Sequence, residues 1–171
     1  MKRKSYQSMQ CPIARTLECV GEWWSILILR DAMTGLTRFD QFQDSLGISP
    51  NILSRRLKGL VENGFLERRM YSESPPRMEY CLTPRGHAFG PILMCLNSFG
   101  NRYFADDGLA SVLVARETGI PADLQVVDRR TGREVSWPEF VFVPGPAANE
   151  AMRSKLAFSE AVVSEGLAKT S

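Results

Sequence analysis

ISPNILSRRLKGLVENGFLERRMYSESPPRMEYCLT, residues 48–83, is the stretch that decides the fold. Ser49 followed by Pro50 is a strong helix start, a capping residue and then a proline whose missing N–H is no loss in the first turn. Leu53, Leu57, Leu60 and Val61 recur at helical spacing and predict an inward face. Asn63-Gly64 ends that helix. Residues 65–71 alternate weakly and predict a strand, residues 72–76 a turn, and residues 78–83 a returning strand with Met78, Tyr80 and Leu82 on one face.

A capped basic helix followed by a hairpin is the layout of a winged helix-turn-helix. Such a helix enters the major groove of DNA with its first residues at the base edges, while the hairpin reaches the flanking backbone. Its outward positions are Asn51, Ser54, Arg55 and Lys58, with Ser49 at the start. Serine and asparagine there read bases or hold phosphate, and arginine takes guanine bidentately. Arg56, beside Leu57, is either a backbone contact or half of an ion pair within the domain. Arg77 follows two prolines and presents its charge from a stiff loop. Arg68 and Arg69 on the wing strand are phosphate candidates, one of them facing inward, and Arg38 joins the set from the segment before the basic helix. Most charge runs are solvated faces; the capped start, the short helix before it and the hairpin after it raise this one to a DNA site.

Outward from that stretch, Pro12 opens a helix over residues 12–20 with Ile13, Leu17 and Val20 on one face, ended by Gly21. Residues 24–33 form a strongly apolar helix, the buried centre of a small domain. Residues 36–38 are a candidate short strand, and residues 39–46 a short helix with Phe39, Phe42 and Leu46 inward. Thr83-Pro84 opens one long helix to about Phe104, striped by Phe89, Ile92, Leu93, Leu96 and Phe99. In the tail, residues 112–114, 125–127 and 140–143 are β-like runs, and residues 147–166 are helix-compatible. Four segments follow: a basic arm (1–10), a winged DNA-binding and dimerisation domain (11–104), a β appendage (105–146), and a terminal helix (147–171). The fold class is mainly α with a small β wing.

The 171 residues carry a net charge of +2, 44% hydrophobic and 23% charged residues, a globular composition. That net charge hides an asymmetry: 14 Lys/Arg against 9 Asp/Glu up to Phe104, then 7 against 10. The basic half is the half with the helix and hairpin. The apolar runs are too short for a membrane span, and the arm MKRKSYQSMQ reads as charged rather than as a signal peptide. Cys11, Cys19, Cys81 and Cys95 have no metal spacing and His87 is the one histidine, so no zinc site, cofactor or disulfide framework is expected. A reduced, cytoplasmic protein is the expectation. No nucleophile–base pair or phosphate loop points to an enzyme; His87 reads as a surface residue.

The chain resembles the HxlR-type winged helix-turn-helix transcriptional regulators, relatives of the MarR group. The matching residues are Cys11-Pro12, Gly21, Trp24, LILR at 27–30, Arg38-Phe39, Phe42, Gly47-Ile48-Ser49, Leu53, Arg56-Leu57, Leu60, Gly64, Pro75-Pro76-Arg77, Glu79-Tyr80, Leu82-Thr83 and Gly86. The resemblance implies a homodimer built from the first and last helices of residues 11–104, a repressor on a two-fold operator in double-stranded DNA. It departs at Trp23, where the family has a basic residue, and at Phe99, where it has tryptophan. The tail is similar to an extension that carries cysteine pairs in two turns; here those turns read Glu117-Thr118-Gly119 and Arg130-Thr131-Gly132, so a metal-free β hairpin is expected.

Cys11 is the regulatory thiol candidate. It sits at a helix N-terminus, where the dipole favours thiolate, with Arg15 one turn on. The resemblance implies sensing of oxidants or electrophiles there; the plainer reading is a small residue at a dimer contact. A small-ligand pocket lined by Trp23, Trp24, Phe99 or Tyr103, with Trp137 a further candidate, is the other route to an effector, although aromatics at such spacings are more often core. The competing function is a protein-interaction module that uses the winged fold without DNA.

Overall fold

The structure is a computed structural model that describes residue 6 and residues 8–168. Lys2, Arg3 and Lys4 of the expected basic arm lie outside the described residues. Seven helices and one hairpin are described: α1 (Pro12–Val20), α2 (Trp23–Met33), α3 (Phe39–Leu46), α4 (Pro50–Glu62), β1 (Leu66–Glu73), β2 (Pro76–Leu82), α5 (Pro84–Ala88), α6 (Gly90–Tyr103) and α7 (Glu150–Ala168). This is the winged helix-turn-helix class expected: mostly helical, with one two-stranded antiparallel sheet. Contacts gather the chain into two units, Thr16–Leu124 and Met1–Arg15 with Gln125–Ser171. The sequence reading draws its divisions at residues 10, 104 and 146 instead.

In the larger unit the core is made by Ile28 and Leu29 of α2, Phe42 of α3, Leu53, Leu57 and Leu60 of α4, Leu66 of β1, and Val20, all fully buried or nearly so. Their spacing on α4, four and three apart, lays them on one stripe and turns the intervening residues to solvent. Gly47 makes the tight turn between α3 and α4 in the left-handed region (φ 60°), where its missing side chain removes the steric cost.

One polar cluster is buried with this core. Asp31, 4% exposed, sits at the end of α2. It accepts from Arg30 Nε (2.8 Å) and from the Ser45 hydroxyl of α3 (2.8 Å). A buried carboxylate is tolerated only when its oxygens are satisfied. Meeting that need locks α3 to α2.

The wing is longer than the sequence suggests. β1 pairs with β2 from Leu66↔Leu82 to Glu73↔Pro76, so the strands run on almost to the tip and the turn is Ser74-Pro75, joined by a cis peptide. A bulge between Met70 and Ser72 leaves Tyr71 unpaired in the ladder. The candidate strand at residues 36–38 is present as a single bridge, Arg38↔Glu79, with the Tyr80 amide donating to the Thr37 carbonyl at 2.7 Å.

The long helix expected from Thr83 to Phe104 is two helices, broken at Phe89. Pro91 is the reason: it has no N–H to donate to the His87 carbonyl, and its ring crowds that oxygen. Thr83 caps α5 by accepting from the Gly86 amide (3.1 Å) and donates to the Gly64 carbonyl (2.6 Å). A Cβ on Gly86 would lie 2.3 Å from the Phe65 carbonyl oxygen, so only glycine allows α5 to seat against the start of the wing. The stripe divides too: Phe89 and Leu93 pack on the core, whereas Ile92, Leu96 and Phe99 of α6 remain exposed.

The tail differs from the expected hairpin. It holds two separate loops, each closed by one bridge, Val114↔Pro121 and Val127↔Glu134, with Gly119 and Gly132 at positive φ in their turns. Pro121 has no amide proton, so it cannot extend the first ladder. Residues 140–143 form no strand. Among the described residues no group of His, Cys, Asp and Glu is placed to hold a metal ion, and no helix is long and apolar enough to cross a membrane.

Candidate nucleic-acid interface

The exposed side of α4 and the hairpin that follows it carry the candidate residues. Ser49 holds the N-cap position, with extended backbone (φ −65°, ψ 144°), but its hydroxyl makes no capping bond. The helix starts on Pro50 and on the Ser49 carbonyl, which accepts from the Leu53 amide at 3.0 Å. The hydroxyl and the first amides of α4 thus remain available for an anion.

Asn51, Ser54, Arg55 and Lys58 are all exposed, on the side opposite the buried leucines. No ion pair engages Arg55 among the described residues. Lys58 reaches Glu62 one turn on at 3.7 Å, both ends in solvent, a pair too weak to hold the lysine from a phosphate.

Arg56 is different: of the two alternatives left open for it, the ion pair within the domain is the one present. Its Nη2 donates to Glu22 Oε2 at 2.7 Å, and the two side chains are only 17% and 27% exposed. Glu22 is the N-cap of α2, so this pair ties α4 to α2. The position on the edge of the leucine stripe, next to Leu57, turns the arginine inward.

In the wing, Arg77 is exposed and has no ion pair among the described residues. It lies two residues beyond the turn, opposite Ser72, rather than at the tip itself. Arg69 is exposed; its guanidinium pairs with Glu67 two residues back on the same strand face and stands opposite Glu79 across the ladder. The Glu67 hydrogen bond and charge hold its pKa above the usual arginine value. Its charge is therefore largely answered within the hairpin. Arg68 lies over the Tyr80 ring, 6.0 Å from the centroid, a cation–π contact across the ladder.

Arg38 is exposed at the N-cap of α3, with Asp40 at 3.4 Å. The Gln41 side-chain oxygen accepts from the Thr37 and Arg38 amides (3.1 and 2.9 Å), which fixes the backbone that presents it. Sequence reasoning missed the positioning residues Glu22, Asp31 and Gln41. Asp31 had a visible signal, an acid inside the apolar run LILRDAM; Glu22 had none, since its partner lies 34 residues away.

All four cysteines are half-buried, and Cys19 packs against the core. Trp24 packs on the core, but Trp23 (79% exposed), Phe99, Tyr103 and Trp137 stand in solvent. A cavity of about 620 Å³ lies in the smaller unit beside Cys11, and none of the five tryptophan, phenylalanine and tyrosine candidates lines it. His87 is exposed, as expected.

Residues 19–107 match the family model described as HxlR-like helix-turn-helix. An uncharacterised HTH-type transcriptional regulator of Mycobacterium tuberculosis, Rv3095, is 36% identical over 148 residues, covering 86% of this chain and 91% of the relative. Among solved structures, PA1374 of Pseudomonas aeruginosa, assigned as a transcription factor, is 49% identical, with a TM-score of 0.61 over 85% of this chain and all of that one. PA1607, assigned likewise, is 40% identical, with a TM-score of 0.75 over 83% of this chain and all of that one. The redox regulator HypR in its reduced form is 28% identical, with a TM-score of 0.52 over 57% of this chain and 99% of that one. The match spans the helices and wing just described: the chain belongs to the HxlR-like helix-turn-helix family of transcriptional regulators, a family of DNA-binding proteins and not of enzymes.

Proposed function

We propose that this regulator is a homodimeric repressor that reads a two-fold operator with α4 and grips the flanking phosphates with the wing. One observation carries the reading: Leu53, Leu57 and Leu60 are completely buried while Asn51, Ser54, Arg55 and Lys58 of the same helix face solvent. A helix anchored on one side and polar and cationic on the other is suited to a groove. Arg77 supplies the wing contact, Ser49 and Arg38 add backbone contacts, and Arg56 and Arg69 support the frame.

The dimer reading rests on α6. Ile92, Leu96, Phe99 and Tyr103 recur at spacings of four, three and four, lie on one face, and are each about half exposed. An apolar stripe of that kind marks an interaction surface, and a second copy covers it symmetrically. The effector reading rests on Cys11, half-buried at the start of α1, and on the likeness to a redox regulator. The site of action is the cytoplasm.

A fluorescence-anisotropy titration against duplex DNA from the region upstream of the protein's own gene tests the function. Saturable binding that weakens steeply with salt is expected. Binding no tighter than to scrambled duplex sinks the operator reading and leaves the interaction module. Leu96→Glu is expected to give a monomer by sedimentation and to lose operator binding with it. Release of DNA by hydrogen peroxide in the wild type but not in Cys11→Ser is the expected signature of a thiol switch.

A further inference from the structure

We infer that Tyr71, with Met70 beside it, makes an apolar contact with the deoxyribose rings of duplex DNA and so supplements the phosphate contact of Arg77 in the wing. This adds a residue to the operator reading, on which it rests. The two fail on different results, given below.

Between Trp23 and Ile92 the exposed large apolar side chains are Met70 (58%) and Tyr71 (44%). They are neighbours on the outer half of β1, away from the buried Leu66 end. The ladder pairs Met70 with Met78 and Ser72 with Arg77, and the bulge leaves Tyr71 between them without a partner. A bulge re-aims the side chain it carries. The tip beyond it is braced, because the Ser72 hydroxyl donates to the Pro75 carbonyl at 3.1 Å. Tyrosine suits a contact that is apolar over the ring and wet at the hydroxyl.

The charges of the hairpin point to what covers the ring. Residues 66–82 hold Arg68, Arg69 and Arg77 against Glu67, Glu73 and Glu79, so the wing has no net charge. Arg69 is answered by Glu67, and Arg68 is held over the Tyr80 ring. Arg77, with no ion pair among the described residues, is the cation left for a phosphate. One such contact is a weak hold once salt competes for it. Arg77 stands across the ladder from Ser72, the residue next to Tyr71. A ring that close to a phosphate contact meets the sugar carrying that phosphate, and sugars share with phosphates the contacts that position a protein on a duplex. Apolar side chains are an established means of holding DNA without charge. A protein partner needs a far larger surface than two side chains, and in this unit α6 offers the larger apolar stripe.

Anisotropy titrations of the full chain against its own upstream duplex and a scrambled one, repeated over a range of salt, test the inference. Tyr71→Ala is expected to weaken binding to both duplexes roughly tenfold, the effect of leaving one large apolar side chain uncovered. The slope of log affinity against log salt stays as in wild type, whereas Arg77→Ala lowers it. Tyr71→Phe keeps the ring and is expected to bind like wild type. Met70→Gln, expected to lose about threefold at unchanged slope, carries the test if Tyr71→Ala folds poorly. Wild-type affinity in Tyr71→Ala, a lowered slope, or an equal loss in Tyr71→Phe overturns the inference and leaves the operator reading standing. So does dissociation of Tyr71→Ala to a monomer by sedimentation, which assigns the ring to a second copy of the chain. A wild type that binds both duplexes equally sinks the operator reading instead, and the salt-independent loss in Tyr71→Ala still upholds the ring contact.

Discussion

Arg55 and Arg56 are adjacent in the chain, and the proposed interface gives them opposite roles. Arg55→Ala removes an exposed cation that has no ion pair among the described residues, so it leaves stability within about 0.5 kcal/mol of wild type. Its loss falls on the DNA. One bidentate guanine contact is worth about 1–3 kcal/mol, and a two-fold operator loses two, so affinity drops by roughly 30-fold or more. Arg56→Ala does the reverse. Breaking a fully buried pair costs about 3–5 kcal/mol and an exposed one under about 1. At 17% and 27% exposure the Arg56–Glu22 pair lies between these limits, which suggests about 1.5–3 kcal/mol. For a chain of this size that lowers Tm by about 3–10 °C. The measurements are a thermal melt and an anisotropy titration at one fixed salt and a temperature where both variants remain folded. Glu22→Gln should destabilise in the same way, and Arg56→Ala on top of it should cost less than the two separate losses added together. If Arg56→Ala melts like wild type yet loses the operator, the assignment of the pair to the frame is wrong.

Three further outcomes are expected. Arg77→Ala weakens binding to operator and scrambled duplex alike and lowers the slope of log affinity against log salt by about 2 in a salt titration, because one phosphate contact per half-site, two per dimer, is gone; an unchanged slope removes Arg77 from the backbone contacts. Gly86→Ala puts a methyl 2.3 Å from the Phe65 carbonyl oxygen and is expected to cost about 1–3 kcal/mol in urea unfolding, whereas Gly100→Ala, with open space around it, costs nothing or stabilises. The Asp128 carboxylate is held below its usual range by the Thr131 hydroxyl (2.6 Å) and then by the Arg130 amide. A depressed folded pKa makes its support of the Thr131-Gly132 turn complete above the ordinary carboxylate range and lost as pH falls through the lowered value. In an NMR titration the turn amides should move at lower pH in wild type than in Thr131→Val; coincident midpoints would falsify the bond's role.

The reading half was legible from sequence because its signals are local. Leu53, Leu57 and Leu60 state the inward face of α4, Ser49-Pro50 its start, and Asn63-Gly64 its end, all within 16 residues. Arg56 was not legible, since its inward turn is decided by Glu22, far away in the chain. The pairing of Arg69 was not legible either, because strand periodicity says nothing about a carboxylate two residues back on the same face. The break at Phe89 was legible in principle: Pro91 sits too deep to be a first-turn proline of a helix that began at Pro84, yet the apolar stripe runs straight through it. The tail resisted because its runs of valine are strand-like in composition while each loop closes on one bridge.

The interruption at Phe89 also sets a mechanical relation. On its near side, α5 is fastened to the wing and to the end of α4 through Thr83, Gly86 and the Arg85 bond to the Asn63 carbonyl. On its far side, α6 extends for 14 residues, about 21 Å, with its apolar stripe outward. A knee between a clamped short arm and a long one that packs on the core near its start acts as a lever: a 5° change in the bend swings the far end by roughly 2 Å over that length. In a dimer joined through α6, the separation of the two reading heads would then be tuned by the angle of this knee, without any residue that touches DNA having to move within its own half.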